Sequence, residues 1–250
     1  MLNEYRRRLN FFTQMLNKFI EPEDIEILKG KISGLVISPA NRKKDGKWNF
    51  SISNDYPIRF CPCNLNGNMI QVDFSCNIEG NIPSLNKRDV TIWDAIEKYN
   101  VLIRVWSLEE RLSFRNNFDS ESIRDLIQIN DQRRVILRFH IDKKVQNVTI
   151  EEPYYHMHFG GIAQENEIAW YPKNFDPPRF YFFPLDIVLA TEFILMNFFS
   201  IKSYKLREDP EWKSIVITAQ EIFLKPCINK YHQYVNDDSN SFLNHSVNWN

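Results

Sequence analysis

Apolar and polar residues alternate along this chain with two different periods, and the changes of period mark out its elements. Over residues 1–28, Leu2, Tyr5, Leu9, Phe12, Leu16 and Phe19 recur at three- and four-residue steps. That spacing stacks them on one face of a helix, with a break near Pro22 and a resumption from Glu23 to Leu28. From about Ile32 to Cys76 the period drops to two. Trp48, Phe50 and Ile52 alternate with polar neighbours, as do Ile70, Val72, Phe74 and Cys76. Such alternation puts every second side chain on one face of a strand, and Asp45-Gly46 and Asn66-Gly67 are turn pairs suited to hairpins.

Further on, Thr91–Tyr99 reads as a short helix and Val101–Trp106 as a buried strand. Asp119 and Ser120 can cap a helix through Gln128, with Glu121 in the first turn, where the helix dipole favours an acid. Arg134–Asp142, Val145–Glu151 and Tyr154–Phe159 read as three strands. After a stretch containing Pro172, Pro177 and Pro178, Pro184 opens a helix from Leu185 to about Phe199. That helix is apolar nearly all round and is expected to be buried. A last helix is expected from about Pro210 to Asn229, and the polar tail, 236–250, is expected to be disordered. The expected fold is one α+β domain over residues 1–235. It comprises a curved antiparallel sheet with helices packed on one face, namely an N-terminal helix and two C-terminal helices.

Composition narrows the function classes. The 43% hydrophobic and 14% aromatic content of the 250 residues supplies a large aromatic core. With 31 basic and 32 acidic residues, no global field draws the chain to nucleic acid or anionic lipid. Contact with nucleic acid would need a local patch. Asn41–Lys47, with four positive charges, is one such loop, although a turn of this kind is ordinarily just solvated. Only seven glycines are present, with neither a G-x-G-x-x-G nor a G-x-x-x-x-G-K-[ST] element, so a nucleotide cofactor held by backbone amides is not expected. Cys61-Pro-Cys63 has a one-residue spacer and Cys76 and Cys227 give it no second ligand pair, which reads as reduced thiols rather than a zinc knuckle. Met1 leads straight into the amphipathic pattern without a secretory apolar region, and the apolar stretch Pro184–Phe199 is interrupted and too short to span a bilayer. A cytoplasmic protein without a membrane partner is expected.

The candidate chemistry follows from strand parity. In Val135–Asp142, Val135, Leu137, Phe139 and Ile141 share one face, and Arg138, His140 and Asp142 the other. In Tyr154–Gly161, Tyr155, Met157 and Phe159 face inward, and Tyr154, His156, His158 and Gly160 outward. If both strands turn the same face to the core, three imidazoles, a guanidinium and a carboxylate share one wall, with Glu151 and Glu152 just upstream. A carboxylate can fix an imidazole's tautomer and an arginine can hold a phosphoryl oxygen. Three readings stay open: metal-free acid–base catalysis suited to RNA with its own 2′-hydroxyl; a metal site built on His-x-His; and a structural or partner-binding face. Against a cupin-like metal site, Glu165 lies too far along and only His232 remains downstream. No metal and no cofactor is therefore expected.

Two motifs carry a resemblance. Pro153-Tyr-Tyr-His-Met-His-Phe-Gly-Gly161, then Pro178-Arg-Phe and Pro184-Leu-Asp-Ile-Val-Leu189, resemble an uncharacterised bacterial family of unknown function with a P-x-x-H-x-H-x-G-G element and a P-x-D-I-V-L helix. The order R-x-H-x-D, turn, P-x-x-H-x-H is similar to the TumE-type toxins of toxin–antitoxin systems. That resemblance implies a toxin or antiviral-defence effector that cleaves RNA, with His140, His156 and His158 as catalytic groups and Arg138 and Asp142 beside them. The alternative is a non-catalytic subunit that binds a cognate antitoxin or a defence-complex protein.

Overall fold

A computed structural model describes residues 2–33, 46–82, 96–108, 134–143, 155–160 and 179–235. Helix α1 (Leu2–Met15) buries Tyr5, Leu9 and Phe12, the stripe read from the sequence. Pro22 does not merely interrupt this helix. It starts α2 (Pro22–Ser33), with Glu23 and Asp24 in the first turn where the exposed amide dipoles favour acids. Ile32 therefore closes a helix rather than opening a strand.

Among the described residues eight strands follow: β1 (Gly46–Ile52), β2 (Ile58–Arg59), β3 (Cys63–Leu65), β4 (Asn68–Ile82), β5 (Ile96–Ser107), β6 (Arg134–Lys143), β7 (Tyr155–Phe159) and β8 (Arg179–Tyr181). They form one open antiparallel sheet in the order β1-β4-β5-β6-β7-β8, with β2 and β3 also paired to β4. The β3–β4 hairpin turns through Asn66 and Gly67, at φ of 53° and 92°. Positive φ at both positions suits the twist of a two-residue hairpin, and glycine takes it without a Cβ penalty.

Two bulges alter the expected parity. Gly80 pairs with Ile96 and Glu79 with Lys98, so Glu97 is an extra residue in β5. The bulge puts buried Ile96 and Tyr99 three residues apart, a helical spacing within a strand. The helix expected over Thr91–Tyr99 is thus replaced by strand from Ile96 onward, while 91–95 lie outside the described residues. In β6, Val105 pairs with Leu137 but Trp106 with Val135, leaving Ile136 as the extra residue. Val135 consequently sits across from Trp106 on the polar face, not with Leu137, Phe139 and Ile141 as the simple alternation predicts.

After β8, Asp186 caps α3 (Ile187–Phe198), its carboxylate accepting from the Leu189 amide at 2.9 Å. The helix therefore begins after Asp186 rather than at Leu185. It is buried as expected over Ile187–Thr191, Ile194, Leu195 and Phe198, although Met196 reaches the surface. Helix α4 (Ser200–Glu208), not expected, turns the chain. Asp209 and Pro210 then start α5 (Pro210–Ala219), which passes through a wider π turn, Gln220–Leu224, into α6 (Lys225–Val235). The last helical run thus extends beyond Asn229.

The helices cover one face of the sheet. Phe193 and Phe198 of α3 meet Phe139 of β6 at ring-centroid distances of 5.3 and 6.3 Å, and the Tyr99 hydroxyl donates to the Leu185 carbonyl at 3.0 Å. Phe12 stacks on Trp212 and Tyr5 meets Phe223 edge-on, so α1, α5 and the π turn share that core. The fully buried ones among them, such as Phe12 and Phe223, each contribute roughly 1.5–3 kcal/mol. The fold is α+β, as expected from the sequence. No helix among the described residues is long and apolar enough to cross a membrane. The expected strand Val145–Glu151, the helix through Gln128, most of the basic loop and the 236–250 tail lie outside the described residues.

Candidate functional site: a histidine–carboxylate cluster on the polar sheet face

Strands β6 and β7 are antiparallel neighbours, and their register sets His140 opposite His158 and Asp142 opposite His156. Side chains so paired have Cβ atoms about 4.5–5.5 Å apart. The polar positions of the two strands thereby meet on the face away from the helices. Asp142 is the hub. His156 Nε2 lies 2.6 Å from Asp142 Oδ1, His158 Nε2 3.6 Å from the same oxygen, and His140 Nε2 3.7 Å from Oδ2. The His156 approach is short but off-axis, and Asp142 Oδ1, sealed from solvent, meets no donor in hydrogen-bond alignment. The rings pack on one another as well: His140 and His158 stack at 5.5 Å between centroids, and His156 meets His158 at 4.9 Å.

The four side chains are not equally open. His156 is 3% exposed, against 13% for His158, 21% for His140 and 25% for Asp142. The wall expected from strand parity is therefore sealed at His156 and open along the other three. On β5, Leu102 and Asn100 complete the surroundings, lying opposite His140 and Asp142 respectively. Leu102 is buried, and Asn100 Nδ2 lies 2.6 Å from His140 Nε2. In the arrangement where the amide donates, that ring nitrogen holds a lone pair.

Electrostatics follow from this packing. Burial lowers the His140 pKa from its usual 6.5 to about 4; Asp142 opposes the fall, while Arg138, His158 and His156 add to it. His140 is accordingly neutral at pH 7. For Asp142, burial alone would raise the pKa, but the close His156 and His158 nitrogens outweigh it and hold the carboxyl below the usual carboxylate range.

Arg138 is brought to the neighbourhood but not into the cluster. It lies one cross-strand row away, opposite Arg104, only 6% exposed, and its Nη1 donates to the Gly160 carbonyl at 2.8 Å. The Gly160 amide in turn donates to the Arg138 carbonyl at 2.9 Å, and Gly160 adopts φ 83°, where a side chain would be strained. Arg138 thus clamps the turn after β7. Of the other singled-out residues, Cys63, Cys76 and Cys227 are buried, free thiols, and His232 lies on α6. Glu151, Glu152, Tyr154, Gly161 and Glu165 lie outside the described residues.

A second polar centre on the same face was not read from the sequence. Asp73 of β4 sits between Arg59 of β2 and Arg104 of β5 in register. It takes two bonds from Arg104, at 2.9 and 3.0 Å, and a third from the Trp106 indole at 2.7 Å, while the Arg104 guanidinium lies 5.0 Å over the Trp106 ring. This centre forms the floor of a cleft of about 570 Å³ whose wall includes Asp24, Asn54, Tyr56 and Arg59. The signal for it was the lone charge in the apolar run Val101-Leu-Ile-Arg-Val105. A charge among residues buried on both faces needs a partner.

Comparison of the chain with protein-family models, with curated proteins and with solved structures finds no match. Fold and site thus define the chain by architecture alone: an open-sheet α+β protein with a histidine–carboxylate cluster on its polar face.

Proposed function

We propose that the chain is an RNA-cleaving effector of the bacterial toxin or antiviral-defence kind, working in the cytoplasm, with His140, Asp142, His156 and His158 as its reacting centre. The observation that carries this reading is the convergence of three imidazoles from two adjacent strands on one ionised carboxylate, along a partly open sheet face. An imidazole oriented by a carboxylate can take and return a proton in the course of a reaction. In RNA, the proton leaves the 2′-oxygen for a nitrogen of the cluster and the 2′-oxygen bonds to phosphorus. The bond from phosphorus to the 5′-oxygen breaks, and that oxygen takes up the proton from the imidazolium so formed, which restores the neutral ring. Arg138 then acts by holding the turn that flanks the site, not by binding phosphate. The test is separate His156→Ala and His158→Ala substitution, assayed by growth arrest on expression and by integrity of cellular RNA. Loss of both effects in folded variants supports the reading; undiminished cleavage by a folded double variant ends it.

A second reading is a non-catalytic subunit of a toxin–antitoxin or defence complex. The near-complete burial of His156 and Arg138 favours it, because a sealed polar network can serve to fix a sheet. It calls for stable co-purification with a partner that survives substitution of His158.

A further inference from the structure

We propose that His140, Asp142 and His158 form a three-ligand site for a first-row divalent transition-metal ion, with His156 holding Asp142 in position. One ligand atom from each of the three lies within 4.8 Å of the other two. Asp142 is 3.6 Å from the His158 nitrogen and 3.7 Å from that of His140. Ligand atoms bonded to one ion at about 2.1 Å stand about 3.0–3.4 Å apart in octahedral or tetrahedral shells, so the two pairs that include Asp142 need close by only a few tenths of an ångström, and the two imidazoles, within 4.8 Å of each other, turn inward to complete the shell. Independently, Asp142 Oδ1 is sealed from solvent without an aligned donor. A buried carboxylate oxygen in that state is costly unless something positive meets it.

The division of exposure fits the division of labour. The three proposed ligands are the open members of the cluster, and His156 is the sealed one. A sealed imidazole against a ligating carboxylate is the outer-shell arrangement that orients metal ligands. Three protein ligands leave at least one position free for water or substrate, as in catalytic rather than structural sites. Two imidazoles and one carboxylate select zinc, iron, cobalt, nickel or manganese over the harder magnesium and calcium. The Asn100 amide now against His140 Nε2 occupies the lone pair that the ion would take, so loading displaces it.

The site itself stands on this geometry. Its use rests on the function proposed above: with the His140 and His158 lone pairs given to the ion, a hydroxide at the free position takes the 2′-proton in place of an imidazole, and the ion polarises a non-bridging phosphoryl oxygen. The test uses the full chain, stripped with a chelator and titrated with Co²⁺ under visible spectroscopy, then challenged with Zn²⁺. The expected result is one equivalent per chain, displaced by Zn²⁺. Asp142→Asn and His158→Ala should weaken binding about 100-fold or more, and His156→Ala about 10–100-fold. Asn100→Ala, which removes the competing amide, should tighten it. Absence of saturable binding overturns the proposal. So does a thiolate charge-transfer band, which would place the ion at Cys61 and Cys63, or unchanged affinity in Asp142→Asn. Should the ligand variants fail to fold, Cu²⁺ on the unsubstituted chain decides: pulsed electron paramagnetic resonance shows coupled imidazole nitrogens if the site is right and none if it is wrong. Metal bound without RNA cleavage sinks the RNA reading alone. Cleavage undisturbed by chelator in a chain that binds no metal sinks the site alone.

Discussion

Asp142 and His156 face each other across β6 and β7, with Asp142 Oδ1 2.6 Å from His156 Nε2, and this pair joins the most open member of the cluster to the most buried. Removing the imidazole takes away the nearest polar partner of a carboxylate oxygen that solvent does not reach. In the metal-free chain, His156→Ala is therefore expected to lower stability by about 1 kcal/mol, the low end of the range for a buried polar group that loses a partner, because the contact is already off-axis. The urea midpoint at pH 7 in the presence of a chelator measures it. A midpoint equal to that of the unsubstituted chain would mean that the contact contributes nothing to folding.

The cluster also imposes a direction on acid sensitivity. In the folded, metal-free chain His140 titrates near 4 rather than 6.5, chiefly because it is buried. Between those values the unfolded chain binds the extra proton and the folded chain does not, so stability falls as pH drops through the window. Asp142, held below the usual carboxylate range, continues the loss at still lower pH. His140→Gln should flatten the pH 4–6.5 part of the stability curve by about 2–3 kcal/mol and leave the lower part in place. Equal slopes in the two proteins would show that His140 titrates like a solvated imidazole.

Asp186 acts in the opposite sense. Complete burial at the start of α3 raises its carboxyl to about 7, against amide bonds from Leu189 and Val188 that pull it down. The Tyr5 hydroxyl donates to its other oxygen, which ties α1 to α3. A folded-state pKa above the unfolded one means the folded chain holds the proton longer, so this group's contribution is present below about pH 4 and is lost as pH rises towards 7. Asp186→Asn keeps one acceptor oxygen for the Leu189 amide, turns an NH2 towards the Tyr5 hydroxyl, which then accepts, and cannot ionise. It is expected to match the unsubstituted chain at pH 4 and exceed it at pH 8, by up to about 4 kcal/mol. Thermal melts at both pH values decide, and a variant weaker at pH 8 would show that the carboxylate is tolerated.

These opposed groups show what was legible in the sequence. Parity alone put His140, Asp142, His156 and His158 on one face, because the β6–β7 ladder has no bulge between Phe139 and Lys143. The same rule misplaced Val135, and the helix expected over Thr91–Tyr99 gave way to strand from Ile96, since each lies beside an inserted residue, Ile136 or Glu97, that shifts the period by one. Parity cannot report depth either. Arg138 and His156 occupy polar positions yet are sealed, while burial depends on what lies over the face, which is set by tertiary structure. The Asp73–Arg104 pair escaped notice for a related reason: its members lie 31 residues apart, and only the β4–β5 register brings them together.

That pair supports the last prediction. The Arg104 guanidinium is 4% exposed and spends two of its donors on Asp73, which also accepts from Trp106. Its gain over an apolar pair is small, because two charges had to be desolvated to form it. Breaking it is another matter, since a guanidinium that has lost its counter-charge stays buried between β4 and β6, opposite Arg138. Asp73→Ala is expected to cost about 3–5 kcal/mol, whereas Asp73→Ala combined with Arg104→Met should recover most of that loss. Denaturation of the four proteins of the cycle measures the coupling directly. If the double variant is as unstable as Asp73→Ala, the loss comes from the cleft floor as a packed unit and not from the stranded charge.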